Sequence, residues 1–354
     1  VKILYASRSR NVHDERFVEA WTTQGVELSV LTLSSAEAED PVAGRATVKD
    51  AVSRFDPDVI QAGPILDVGY LIATSWDGPL ILTSWGFDLM EEAGRSEEHR
   101  MRARSALAGA SLLITDNATV TERAVELGMD RAGIVQFPWG IDLDEFSPEG
   151  STLRGDLGWD ASHWVVGCTR RHEAYYDVQT VVAGFARFAA DRPEARLLLA
   201  GGGTLTSDLR QQVNKLGVQD RTVFLGETEH SNLARIYRAF NAYVSASTVD
   251  GTSVSLLEAM ACRVPTCVSD IPGNRQWVTE ETGLRFPVGD PGALAEALGQ
   301  LFSCTTRSGL NVETLMDNAL AMVHREANWG ATRTRFPDLV ALAVSRHLGQ
   351  GLPS

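Results

Sequence analysis

Apolar, β-branched runs alternate with segments of helical period along the whole chain, and they do so in two successive series. Such a pattern demands parallel strands joined by helical crossovers, because a parallel pair cannot be closed by a tight turn. The first series supplies VKILYAS, VELSVLTL, PDVIQAG, PLILTSW, SLLITD and GIVQFP as strands, with helices such as DERFVEAWTTQG and VTERAVELG between them. The second supplies WVVGCTR, ARLLLAGGG, TVFLGE, AYVSAST, PTCVSD and GLRFP, with helices that include VQTVVAGFARFAADR, LTSDLRQQVNKLG, SNLARIYRAF and PGALAEALGQLF. Between them, PWGIDLDEFSPEGSTLRGDLGWDASH is rich in Gly, Asp, Ser and Pro and marks a hinge. At 354 residues the chain exceeds one ordinary core. The expected class is therefore α/β, with two doubly wound, Rossmann-like domains, residues 1–150 and 160–330, facing across a cleft. A C-terminal helix over about 331–354 is expected to pack back onto the first domain.

Composition narrows the function classes. Hydrophobic residues make up 44% and charged residues 22%, with no apolar run long enough to span a bilayer. The chain opens straight into a strand rather than an export-type leader, so the cytoplasm is the expected location. A formal charge of -14 weighs against nucleic acid as a partner. Cys168, Cys262, Cys267 and Cys304 fit neither a zinc pattern nor a disulfide framework. Lysine occurs only at Lys2, Lys49 and Lys215, so arginine carries nearly all the positive charge. In RSEEHRMRARSAL the acidic residues Glu97 and Glu98 dilute Arg95, Arg100, Arg102 and Arg104, which favours a solvated helix over a membrane-docking one. Asp142 and Asp144 form a DxD in the hinge segment, where aspartates serve turns, and no metal role is expected for them.

The chemistry concentrates in DGTSVSLLEAMACR. AYVSAST should be a strand, and SLLEAMACR a short helix entered through Gly251, Thr252 and Ser253. The first turn of a helix leaves N–H groups unpaired and carries the positive end of the dipole, which suits a diphosphate. Glu258 lies one turn further in, able to accept hydrogen bonds from a vicinal diol such as ribose, and Asp250 can serve a second sugar. Taken singly, Asp250 reads as a helix cap and Glu258 as a polar residue on a partly buried helix. Glu258, however, sits among Leu256, Leu257, Ala259 and Met260, and a charge in such company has a specific partner.

The segment resembles the E-x7-E signature of retaining glycosyltransferases of family four, which have the GT-B fold; here it reads Asp250-x7-Glu258. PWGIDLDEFSP, RLLLAGGG, TVFLGE, IPGNRQWV and GLRFPVGD continue the resemblance in order. It implies that Glu258 holds the nucleotide ribose, Asp250 a hydroxyl of the donor sugar, and the amides of Thr252, Ser253 and Val254, beside Gly251, the phosphates. It places Arg171 on the donor diphosphate, and Gly202, Gly226 and Glu227 in the turns that approach the donor. The family's lysine, five positions after its arginine, is Tyr176 here. Either Arg170 supplies the second charge or the Tyr176 hydroxyl donates a hydrogen bond. The first half departs further. Where relatives carry a Gly-Gly turn and a His-Gly-x-Asp run, this chain has SRSRNVH and Trp85-Gly86-Phe87-Asp88, which puts Arg8, Arg10, His13, Trp85, Gly86 and Asp88 on the acceptor side.

The implied activity is metal-independent, retaining transfer of a sugar from a nucleoside diphosphate donor to an acceptor hydroxyl. A UDP-sugar is the expected co-substrate, no cofactor is needed, and the acceptor is a small molecule, a glycan or a lipid-linked sugar. Two alternatives remain at this point: a phosphorylase or nucleotide-sugar epimerase on the same fold, and a catalytically silent nucleotide-sugar-binding protein.

Overall fold

The computed structural model describes residues 1–8, 12–138 and 140–349. The elements used below, in chain order, are β1 (Lys2–Ser7), α1 (Val12–Thr23), β2 (Glu27–Thr32), β3 (Val59–Ala62), β4 (Leu80–Thr83), α2 (Glu97–Gly109), β5 (Leu112–Thr115), β6 (Ile134–Gln136) and β7 (Trp164–Cys168). They continue with α3 (Val178–Phe188), β8 (Ala195–Ala200), β9 (Thr222–Gly226), α4 (His230–Tyr237), β10 (Ala242–Ser245), α5 (Val254–Ala261), β11 (Thr266–Ser269), β12 (Leu284–Phe286), α6 (Pro291–Phe302) and α7 (Phe336–His347). Every strand anticipated from the sequence is present; β1 ends where expected, at Ser7, and the others end one to three residues early where the chain leaves the sheet for a loop.

The strands form two six-stranded sheets, ordered β2-β1-β3-β4-β5-β6 and β12-β11-β10-β7-β8-β9. All pairings are parallel. Parallel strands are covered by crossover helices on both faces, which is why β3, β4 and β5 are buried at every position and are mostly apolar, with Gln61, Thr83 and Thr115 as their buried polar members. The edge strand β2 is half exposed and carries no fully buried residue. Among the described residues no helix is long and apolar enough to cross a membrane.

The chain divides into two compact units, Val1–Trp139 with Gly330–Ser354, and Gly140–Trp329. The expected boundary at residue 150 therefore moves to 140, and the hinge segment belongs to the second unit. Packing explains the shift. Ile141 exchanges backbone hydrogen bonds with Ala327 and Trp329, and Phe146 is buried against Tyr237. The Arg238 guanidinium donates to the carbonyls of Ser147, Glu149 and Ser151, and Arg154 donates to the carbonyls of Ala239, Asp160 and His163. Two arginines thus hold a segment whose own composition carries no periodicity.

In the first unit, α7 packs against β3, β4 and β5. Phe336 is fully buried with its ring 4.8 Å from Trp21 and 5.7 Å from Phe17, and Arg346 donates to the Ser111 carbonyl and to Asp130. In the second unit, the order read from the other edge is β9-β8-β7-β10-β11-β12. Successive crossovers run outward from β7 in opposite directions, which makes the neighbouring carboxyl ends of β7 and β10 a topological switch point, the place where open α/β sheets bind ligands.

Candidate active site

Arg170 and Arg171 follow the carboxyl end of β7, and the loop 246–253 follows β10 into α5. A third loop, Gly201–Gly203 after β8, is stitched to the first: His172 N donates to Gly202 O at 2.9 Å and Leu205 N to His172 O at 2.9 Å. Two of these glycines are required. Gly201 has φ +139° and Gly203 φ +155°, and a Cβ would lie 2.7 Å from Arg170 O at the first and 2.6 Å from His172 O at the second.

The Arg170 side chain is buried, and its guanidinium ties the two strand ends together. Nη1 donates to Ser253 Oγ at 2.9 Å and Ser255 Oγ at 2.8 Å, while Nη2 donates to Asp250 Oδ2 at 2.6 Å. The planar group lies 4.0 Å from the centre of the Tyr176 ring, and Ser255 is held in turn by the Tyr243 hydroxyl at 2.8 Å. Burial pulls this guanidinium down, but Asp250 outweighs it with help from Tyr176 and Tyr243, so the net direction is upward and the charge is kept.

α5 begins at Val254, one residue before the expected start, with Ser253 as its N-cap residue and no side-chain cap. Asp250 does not cap it, because its carboxylate is spent on Arg170. The positive end of this helix therefore stands beside a buried cation, two features that attract an anion to one place. Thr252 and Ser253 are buried, and Thr252 Oγ1 accepts from Gln276 Nε2 at 3.2 Å. Glu258 is 3% exposed, and its Oε2 accepts from the Tyr237 hydroxyl at 2.8 Å. A tyrosine from α4 is thus one partner that meets the demand of a carboxylate on an apolar helix.

Arg171, after β7, is exposed, as are Tyr175 in the turn that follows and Glu227 after β9. A Cβ on Gly202 would lie 3.1 Å from Glu227 Cγ, so the turns after β8 and β9 are in contact, and Gly226 closes the second turn at φ +77°. Tyr176 is part-buried against the core beneath α3 and stacks on Arg170. Of the two alternatives, a ring that stacks on Arg170 favours the second charge coming from Arg170 over direct donation by the Tyr176 hydroxyl. Tyr176→Phe, which keeps the ring, is expected to leave melting temperature and turnover near the parent. Tyr176→Lys sets an ammonium against the guanidinium and should lower turnover by roughly tenfold through like-charge repulsion. Assaying the two variants side by side checks this, and a Lys variant more active than the parent would reverse the assignment.

In the first unit the acceptor-side expectations fare differently. Asp88 is fully buried and accepts from Ile65 N at 3.0 Å, Trp85 N at 3.3 Å, Leu89 N at 2.9 Å and Ser84 Oγ at 2.6 Å. It pins the loop after β4 to the loop after β3 and cannot face an acceptor; burial raises its pKa against the lowering effect of these donors. Gly86 has φ +81°, with its N–H on Ser84 Oγ, and is a turn residue. Trp85 is half-buried, edge-on to Phe17 at 5.9 Å. Arg8 is exposed, donates to Asp67 at 3.0 Å, and lines a cavity of about 150 Å³ with Asp67, Glu92, His99 and Arg102. Arg10 and the His13 side chain lie outside the described residues. In the hinge segment, Asp142 Oδ1 accepts from the amides of Asp144 and Glu145, a turn-forming arrangement. Among the described residues no three His, Cys, Asp or Glu side chains gather as a metal site.

Tyr237, Tyr243 and Ser255 were not anticipated from the sequence. The only available signal was the need of Glu258 for a donor, and a partner 21 positions away on another helix leaves no local trace.

Residues 151–311 match the family model of glycosyl transferases group 1. That stretch contains every donor-side residue described above. A lipopolysaccharide core biosynthesis mannosyltransferase of Rhizobium meliloti is 32% identical over 168 residues, 45% of this chain and 47% of that one. A D-inositol 3-phosphate glycosyltransferase of Mycobacterium is 29% identical over 220 residues, 58% of this chain and 49% of that one. The chain spans about half the length of the curated relatives it matches. Among solved structures, sucrose-phosphate synthase from Thermosynechococcus elongatus superposes with a TM-score of 0.81 at 20% identity, covering 96% of this chain and 98% of that one. The Anabaena protein HepE, solved in complex with UDP, gives 0.79 at 18% identity, covering 96% and 100%. The chain has the GT-B fold.

Proposed function

We propose that this chain is a retaining, metal-independent glycosyltransferase that moves a sugar from a nucleoside diphosphate donor to an acceptor hydroxyl. The observation that carries the reading is the buried Arg170 guanidinium held between Asp250, Ser253 and Ser255 at the uncapped N-terminus of α5, with Glu258 one turn further in. Transfer breaks the bond between the anomeric carbon and the diphosphate oxygen and forms one to the acceptor oxygen. Negative charge grows on the departing diphosphate, and its stabilisation is the largest task. Arg170, Arg171 and the amides of Val254 and its neighbours answer that task with fixed positive charge. The acceptor proton passes to the departing phosphate on the same face, so no side-chain base is needed.

Glu258 then takes the ribose diol and Asp250, aligned by Arg170, a hydroxyl of the donor sugar. The first unit holds the acceptor. A UDP-sugar is the first candidate, supported by the UDP complex of HepE; a GDP-sugar is the second, supported by the GDP-mannose-dependent mannosyltransferase of Corynebacterium glutamicum, 27% identical over 203 residues. A glycan acceptor is supported by the lipopolysaccharide-core relative. Against a phosphorylase, an epimerase or a silent binder stand the curated relatives, whose names are those of mannosyltransferases and a glycosyltransferase.

The test is a thermal-shift screen of UDP, GDP, ADP and dTDP and their sugars, followed by the anomeric configuration of the product by NMR with EDTA present. One nucleoside diphosphate should raise the melting temperature, since a ligand bound only by the folded state stabilises it. The transferred sugar should keep the donor's configuration. Inversion, or loss of turnover in EDTA, would overturn the mechanism, and no shift with any nucleotide would overturn the function.

A further inference from the structure

We infer that Tyr237 is the positioning residue for Glu258: its hydroxyl, held from behind by Thr169, aims the buried carboxylate at a vicinal diol. The inference rests on the nucleoside diphosphate reading above and adds to it a residue outside the recognised motif. Tyr237 Oη lies 2.8 Å from Glu258 Oε2 and 2.9 Å from Thr169 Oγ1, and its ring has no exposed surface. Phe240 at 5.8 Å, Tyr243 at 6.0 Å and Phe146 at 6.1 Å surround that ring, so it cannot swing away.

The order of the protons follows from the chemistry. Burial, followed by the Glu258 charge, raises the phenol well above its ordinary pKa, so it keeps its proton and donates it to the carboxylate. Its oxygen then accepts from Thr169, which gives a chain running from Thr169 through Tyr237 to Glu258. That chain links three elements: the end of β7, α4 and α5. Thr169 immediately precedes Arg170, so the carboxylate meant for ribose is tied to the same strand end that presents cations to the diphosphate. A carboxylate has about four acceptor positions, and holding one of them fixes the directions of the rest. Orientation settled before binding spares the ligand the cost of ordering it.

A purely structural role for Tyr237, satisfying a buried charge, predicts a different result from a positioning role. The experiment is calorimetric titration of the parent, Tyr237→Phe and Thr169→Val with UDP and GDP and with their 2′,3′-dideoxy counterparts, which lack the diol. The parent should bind the better ribonucleotide roughly tenfold more tightly than its dideoxy form, about the value of a hydrogen bond to a charged group. Tyr237→Phe should lose most of that preference while its affinity for the dideoxy form stays within about twofold of the parent's; Thr169→Val should move the same way by less. Full diol preference in Tyr237→Phe, or equal weakening towards both nucleotides, would overturn the inference while leaving the function standing. A parent that binds none of these nucleotides would overturn both. Should Tyr237→Phe fail to fold, Thr169→Val decides on the same criterion.

Discussion

Arg170→Ala is expected to lower turnover by about 10²–10³-fold, the loss seen when one donor to a developing oxyanion is removed. Two effects combine. The diphosphate loses a cation set at the N-terminus of α5, and Asp250, four-fifths buried, loses its ion pair with Arg170 at 2.6 Å. The freed carboxylate would then repel the anion it had helped to orient. Arg170→Lys should recover only part of the activity, because an ammonium keeps the charge but cannot reach Asp250, Ser253 and Ser255 at once as the planar fork does. Steady-state kinetics with the donor found in the thermal screen, alongside diphosphate affinity, measure both losses. The motif position belongs to Arg171, which is exposed. If Arg171→Ala abolishes turnover while Arg170→Ala stays within about twofold of the parent, Arg170 is a structural strut and the proposed division of labour fails.

The largest expected effect on stability lies in the other unit. Asp88→Ala strips the acceptor from three backbone N–H groups and the Ser84 hydroxyl, all but the part-buried Trp85 N–H fully buried, and should destabilise the first unit by about 3–5 kcal/mol. Asp88→Asn should recover little, since its amide nitrogen would face donors rather than acceptors. Denaturant unfolding followed by the first unit's tryptophans measures the loss, and a change below about 1 kcal/mol would show that the loops after β3 and β4 are held by something else. Acidification does not imitate the alanine variant. Burial raises the Asp88 pKa in the folded protein, so its contribution is fully present below the ordinary carboxylate value and declines as pH rises through the raised one. Acid unfolding must therefore start from other groups, such as Asp160, which Ser162 hydrogen bonds hold down at about 2.

Asp88 shows why the acceptor side was harder to read than the donor side. In sequence it follows Trp85 and Gly86 on a loop after a strand, where an acidic residue ordinarily faces a ligand. Its neighbours in space decide otherwise: the Ile65 amide, 23 positions earlier, comes within 3.0 Å only when β3 and β4 pair. The hinge segment repeats the point. Its Gly, Asp and Pro content marks the end of one series of strands, yet its attachment to the second unit depends on Arg238 and Arg154, which lie outside it or bond far from it in sequence.

What the sequence determined by itself is what local physics dictates. Two series of apolar runs at helical intervals can only bury their faces as two parallel, doubly wound sheets, and a strand, a small-residue turn and a short apolar helix carrying Glu258 can only place that carboxylate one turn inside a helix N-terminus. Those features depend on neighbours within one or two turns of chain, so they are written in the order of residues. The tertiary structure alone decided the partners: Arg170 rather than a cap for Asp250, Tyr237, backed by Thr169, for Glu258, a guanidinium lying on the Tyr176 ring, and loop amides for Asp88. A hydrogen bond or ion pair is chosen by distance in space, and strands that adjoin in a sheet, such as β7 and β10, can lie some 75 residues apart in the chain.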